Sequence, residues 1–470
     1  MRDGGAAFFA SDDDAHIAYQ AIRGEHSVVG CDDTEYPYYG EASRSVPPIF
    51  SKGGEHLVYG VADGAIGRLV IDGRLADLGI LAPIAAVYSP DGSRLAFAEQ
   101  SPTTDGQYKV RVLVDDVPGP WSMGMRNAGG VMQFSPDSRR FAYLRTDGRG
   151  KCQWVVDGRE QQLFSESREI SLTSIRLRNI GVLEQPVRAT FSPDSQRFVY
   201  FADVSGKGVA FVEDDSIGQR FLGLQYPVFS PDSRHLAYVA KMFDKNLALI
   251  VDDRVVGKWE AIQAGLPVFS ADSAHVALSI LRQTGGPFRK RSLVAATIDG
   301  VVIRETPARD ISEKPAFSPD GMHLAWWTRD EDQAWVLVDG VEQDLGGQPI
   351  GEARFTSAGH LVCRVSTGPE SETIVVDGSV GPMASVVGQS MTPKRLAERP
   401  GAAPDSAVWR VSADGKHTAW MGDFVDGVFP VLDGEKGPRF EDVISVAFEG
   451  DIATWYARNG NQMYAVTARV

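Results

Sequence analysis

Cysteine is scarce in this chain. Cys31, Cys152 and Cys363 are odd in number and far apart in 470 residues. That argues against a disulfide framework or a cysteine-rich metal set, and each reads as a small buried hydrophobe. Long apolar runs are missing too. None approaches the roughly 18 residues of a membrane-spanning helix, so no membrane span is expected. The opening MRDGGAAFFASDD lacks a basic segment followed by an apolar core. No signal peptide is visible, and a cytoplasmic location is the default expectation. Positive charge is in deficit, with 47 Lys and Arg against 62 Asp and Glu, a net charge of −15. This disfavours general nucleic-acid binding. GxSxG, CxxC, HExxH and phosphate-binding glycine loops are all missing, so no catalytic residue, cofactor or metal is expected.

What is present is one phrase written eleven times. FSPDSRRFAY at 134–143, FSPDSQRFVY at 191–200, FSPDSRHLAY at 229–238 and FSPDGMHLAW at 317–326 are the clearest copies. Their anchors, from Ser11 through Ser51, Ser89, Ser135, Ser192, Ser230, Ser270, Ser318 and Thr356 to Ser412 and Glu449, recur about every 38–40 residues, with some longer gaps. Short runs of aliphatic, β-branched and aromatic residues between polar turns read as strands. Four fit each unit: A before Ser-Pro-Asp, B after it, then C and D. Asp-Gly between C and D, as at Asp72-Gly73, Asp299-Gly300 and Asp339-Gly340, is a type I′ hairpin signal. The A–B and C–D turns then share one end of the unit, and the B–C and D–A connections share the other.

A tandem four-stranded antiparallel unit of this length is a propeller blade. The run F-S-P-D-S/G-x-x-L-A-Y followed by V-V-D-G resembles the WD40-like repeat of the TolB type, often called PD40, over roughly residues 8–466. The resemblance implies a β-propeller and, because propellers host many functions, little chemistry. Repeats of this type are also common in exported proteins, which is where a trimmed chain would belong. The expectation is an all-β chain of about eleven blades forming a single domain over 1–470, one large ring. Two smaller rings of four and seven blades, parted within 165–188, are the alternative. The last blade, about 443–470, should lack its outermost strand.

Most histidines occupy one repeat position. His16, His56, His235, His275, His323 and His417 lie five residues after their anchors, and His360 four after Thr356; Arg94, Arg140 and Arg197 hold the same place elsewhere. Arginine does not ligate metal, so these residues read as structural, opening strand B and donating to a turn carbonyl or carboxylate. Asp91, Asp137, Asp194, Asp232 and Asp320, two residues after their anchors, read as Asx-type turn residues. His26, in the B–C loop, is the one histidine off the pattern.

The repeats differ mainly in their B–C and D–A connections. The segments 103–109, 165–185, 282–291 and 389–406 are enlarged, and the last three carry groups of basic residues: Arg176 and Arg178; Arg282, Arg289, Lys290 and Arg291; Lys394, Arg395 and Arg399. Function on a rigid scaffold concentrates in such loops. The expectation is a non-enzymatic scaffold presenting a loop-decorated face to a protein or peptide partner, with these basic residues toward an acidic one. An enzyme, or a small-molecule or glycan receptor using the central channel, is the alternative. TPKRLAERPG (392–401) also predicts a short helix, with Pro393 at its first position and Gly401 after its last turn.

Overall fold

The computed structural model describes residues 7–11, 16–24, 26–43, 46–63, 66–76, 82–104, 106–123, 132–146, 151–165, 189–203, 208–214, 216–224, 227–261, 263–284, 291–312, 314–330, 334–350, 353–368, 371–380, 386–387, 409–412, 414, 416–424, 427–459 and 462–470. Their regular structure is β, apart from a single 3-10 turn at Lys52–Gly54. The segment 392–401 lies outside the described residues. No described helix is long and apolar enough to cross a membrane.

The sixth repeat shows how the sequence becomes a sheet. Strand B, Leu236–Lys241, pairs antiparallel with strand C, Leu247–Val251, and C pairs with strand D, Arg254–Trp259. The C–D turn is two residues long, with φ of 48° at Asp252 and 60° at Asp253. Asp-Gly turns elsewhere repeat this geometry: Asp299 and Gly300 have φ of 50° and 78°. Both central residues of a type I′ turn need positive φ, which glycine and aspartate tolerate better than most residues.

Strand A is broken in most repeats. Gly223–Leu224 pairs with the far half of strand B and Val228–Phe229 with the near half. The same division occurs at Gln263–Ala264 with Val268–Phe269, and at Asp310–Ile311 with Ala316–Phe317. The residue before each second half is a proline, Pro227, Pro267 or Pro315. Proline has no N–H to give to the ladder, so the strand opens there.

Among the described residues the strands form ten antiparallel sheets in the order A-B-C-D. The fourth and fifth repeats share one sheet through a pairing of Ser165 with Asp203. The last sheet has three strands, Asp442–Glu449, Ile452–Asn459 and Gln462–Arg469. The strands fall into two compact units, five repeats up to Ile217 and six from Gly223 onward.

Within each unit, successive sheets pack through strand B, whose Leu-Ala-aromatic phrase serves both sides. Side chains alternate along a strand, so the alanine and the aromatic residue face opposite neighbours. Ala237 is packed with Ala277's neighbours Val276 and Leu278 of the following repeat. Trp326, the aromatic residue of the Leu-Ala-aromatic phrase in its strand, packs back against Ala277 and Ala296 of the preceding one. Trp326 is 2% exposed and the alanines are fully buried. A large ring meeting a small residue lets adjacent sheets approach closely while filling the space between them.

Candidate functional site

The two ends of the repeat are built differently. At the turn end, each anchor hydroxyl is buried and engaged. Ser318 Oγ donates to Asp320 Oδ1 at 2.5 Å and accepts from the His323 backbone N–H at 2.9 Å. His323 Nδ1 lies 2.6 Å from Asp339 Oδ2, and Asp339 Oδ1 accepts from the Leu324 N–H at 2.8 Å. This ties the A–B turn to the C–D turn. The arrangement recurs with His16–Asp32, His56–Asp72, His235–Asp252, His275–Asp299, His360–Asp377 and His417–Asp433. Asp91, Asp137, Asp194 and Asp232 each accept from their own anchor serine.

Arginine in the histidine slot does the same work and reaches further. Arg94 Nε lies 2.8 Å from Asp115, and its Nη1 donates to the Ser138 and Arg139 carbonyls of the next repeat. Arg140 pairs with Asp157 and reaches the Ser195 and Gln196 carbonyls in the same way. Arg197 pairs with Glu213.

A second link joins repeats through the residue three after the anchor. Among the described residues it takes positive φ in eight repeats, as glycine at, for example, Gly92 (73°) and Gly321 (72°), or as serine at Ser138 (64°), Ser195 (66°), Ser233 (65°) and Ser273 (65°). At three of the serines the Oγ accepts a backbone N–H from the preceding repeat: Asp91 to Ser138 at 2.9 Å, Asp137 to Ser195 at 3.0 Å, and Asp232 to Ser273 at 3.1 Å. The hydrogen bond offsets the backbone cost that glycine avoids.

This network contains serine, histidine and aspartate, yet it is not assembled as a nucleophile. The hydroxyl donates to a carboxylate and meets the histidine through its main chain, so the ring is not its base. The serine hydroxyl, then the backbone N–H of Met322, hold Asp320 below the usual carboxylate range. Asp232 and Asp137 are lowered for the same reasons. Hydrogen bonding to Asp299 and Asp339 raises His275 and His323.

The loop end is more varied. Arg282 is paired with Glu305 across its sheet, and Arg291 is exposed at the start of strand C, Arg291–Ile298. Arg289, Lys290, Arg176, Arg178, Lys394, Arg395 and Arg399 lie outside the described residues. In the third repeat Trp121 carries Lys109 and Arg111 over its ring, at 4.5 and 4.6 Å. Arg111 also pairs with Glu99, which is 2% exposed. Tyr108 is exposed beside them, as is Phe243 at the B–C turn of the sixth repeat.

His26 belongs to a polar group on this end. Glu41 accepts from the Ser27 N–H at 2.9 Å and from Tyr38 Oη at 3.0 Å, and lies 3.2 Å from His26 Nδ1. The Ser27 hydroxyl and N–H, followed by His26, bring the Glu41 carboxyl down to about 2. The His26 and Tyr38 rings are 4.8 Å apart. Its members come from two successive repeats, which is why the isolated RGEH loop gave no sign of them.

Cys152 and Cys363 are buried, and burial pushes Cys363 up to about 12. Cys31 is only half-buried, because it ends its strand beside the exposed C–D turn.

No family model and no curated protein matches the chain. Among solved structures it is similar to a crystal structure described as a eukaryotic initiation factor (14% identity, covering 81% of this chain and 96% of that one, TM-score 0.40). It is also similar to TolB from Acinetobacter baumannii (14%, 53% and 61%, 0.22) and to the β-propeller domain of the Trilobed protease from Pyrococcus furiosus (11%, 76% and 94%, 0.28). On its own geometry, this is an all-β chain of tandem antiparallel meanders with a uniform turn end and a varied loop end.

Proposed function

We propose that the chain is a β-propeller scaffold whose loop end binds a protein or peptide partner. One observation supports this most strongly. The polar residues that recur, serine, aspartate and histidine or arginine, bond to one another at the turn end. They are spent on the fold. The residues that differ between repeats sit at the other end and include exposed aromatic and basic groups, the composition that interfaces favour.

The basic loop 282–291 gives this reading its test. Arg289, Lys290 and Arg291 are replaced together by glutamate, and wild type and variant are compared in capture of partners from cells and in titration at two salt concentrations. An acidic partner should be lost from the variant. Its affinity for wild type should fall with salt, since exposed charges are screened beyond about 8 Å at physiological ionic strength. Thermal stability should barely change. Unchanged affinity in both comparisons removes the loop from the interface and favours an enzyme or small-molecule receptor instead.

A further inference from the structure

The first repeat departs from the others at one position of the turn end. The residue that closes strand C, just before the turn aspartate, is aliphatic in most repeats, as Ile71, Val251, Ile298 and Val338 show. In the first repeat it is Cys31. The thiol therefore joins a histidine–aspartate pair that elsewhere stands beside hydrocarbon.

The three donors are close together. One ligand atom each from His16, Cys31 and Asp32 lies within 4.8 Å of the others, and no other group of three histidine, cysteine or acidic side chains gathers this way among the described residues. Each donor is held. Asp32 Oδ1 accepts from the Ile17 N–H at 2.9 Å, which leaves Oδ2 beside His16 Nδ1 at 2.8 Å. The His16 backbone N–H is bonded to Ser11 Oγ. Its ring lies against Gly54, where a Cβ would come within 2.4 Å of His16 Cδ2, so the close approach depends on glycine. His16 and Asp32 are 41% and 44% exposed, which gives an ion a way in and room for solvent ligands.

We propose that His16, Cys31 and Asp32 form a binding site for one divalent transition-metal ion of the zinc class. Thiolate, imidazole and carboxylate are the donors that Zn²⁺ takes, and three protein ligands leave a fourth tetrahedral position to water. Hard cations such as Mg²⁺ and Ca²⁺ favour all-oxygen sites, so the thiol selects against them. On binding, the Cys31 S–H bond breaks, a sulfur–metal bond forms, and the proton passes to solvent.

The second repeat is the internal control, because His56 and Asp72 are paired at 2.9 Å with Ile71 in the cysteine's place. The full chain, stripped with a chelator, is titrated calorimetrically with Zn²⁺ and spectroscopically with Co²⁺. Wild type should bind one ion and show a thiolate-to-Co²⁺ charge-transfer band. Cys31→Val installs the residue type that other repeats carry, so folding should survive, as circular dichroism would confirm. It should abolish the band and weaken Zn²⁺ binding by more than the roughly 100-fold that outer-shell losses reach. His56→Ala should leave both readouts unchanged. The proposal is overturned by a wild type without the thiolate band, by a Cys31→Val variant that binds like wild type, or by equal losses from His56→Ala.

Discussion

His275 Nδ1 lies 2.7 Å from Asp299 Oδ2, across 24 residues of sequence. The second oxygen of Asp299 accepts from the Val276 N–H at 2.9 Å. One carboxylate thus holds both the ring and the start of strand B, and it does so from a residue at φ 50°. The two partners should not be equivalent. His275→Ala removes one exposed contact and should cost well under 1 kcal/mol. Asp299→Ala loses both hydrogen bonds and puts alanine in left-handed backbone, and should cost about 2 kcal/mol. Urea unfolding of the two variants measures the difference, and equal costs would mean that the carboxylate serves only the histidine.

The same contacts set a pH window. His275 and His323 are raised in the folded protein. Their contribution is complete below the unfolded value of about 6.5 and is lost as pH rises through the folded value. Asp137, Asp232, Asp272, Asp320 and Asp414 are lowered. Their contribution is complete above about 3.9 and is lost as pH falls through the folded values. Melting temperature should therefore peak near pH 5–6 and decline toward pH 8. Replacing His275 and His323 with glutamine should flatten the alkaline decline; an unchanged profile would assign it to other groups.

Ser273 and Gly321 occupy equivalent turn positions and should respond unequally to substitution. Ser273→Ala keeps positive φ and loses the bond from the Asp232 N–H, costing about 1 kcal/mol. Ser273→Gly loses the same bond but relieves the backbone, so it should be the milder change. Gly321→Ser has room, since a Cβ there would lie 3.6 Å from its nearest neighbours. Its φ of 72° strains any side chain, so the cost in denaturant titration should stay small only if the new hydroxyl is hydrogen-bonded as at Ser273. A large loss would show that serine at this position is not interchangeable with glycine.

Arg111 neutralises Glu99, whose side chain is almost wholly buried. Arg111→Ala strands that charge and should destabilise by roughly 3 kcal/mol. Pairing it with Glu99→Leu should recover most of the loss. If the double variant is as unstable as the single one, the cost lies in the lost stacking on Trp121 instead.

Much of this was legible beforehand. The phrase itself located strand B, and Asp-Gly located the C–D hairpins, because both depend on local backbone preference. The halving of strand A was harder to see: Pro227 and Pro267 mark it, yet each resembles an ordinary connection residue. The bond from Asp232 to Ser273 was invisible for a different reason. It joins neighbours 41 residues apart, and nothing in SPDS alone distinguishes a serine that reaches outward from one that merely turns. The group around Glu41 was hidden likewise, being divided between two repeats, and the proposed metal donors hinge on Cys31 standing where an aliphatic residue is usual.

The turn-end network has a consequence for how such a chain changes over generations. Most recurrent bonds close inside their own repeat, from anchor serine to the aspartate two residues on, and from the histidine ring to the aspartate of the C–D turn. A copied or deleted unit therefore brings or removes its wiring intact. Beside the arginines that reach the next repeat, the position three after the anchor is where the units consult one another: serine there takes an aspartate N–H from upstream, whereas glycine requires nothing. Junctions written with glycine are the natural seams for duplication and loss, and those written with serine are the ones that hold their neighbours in order.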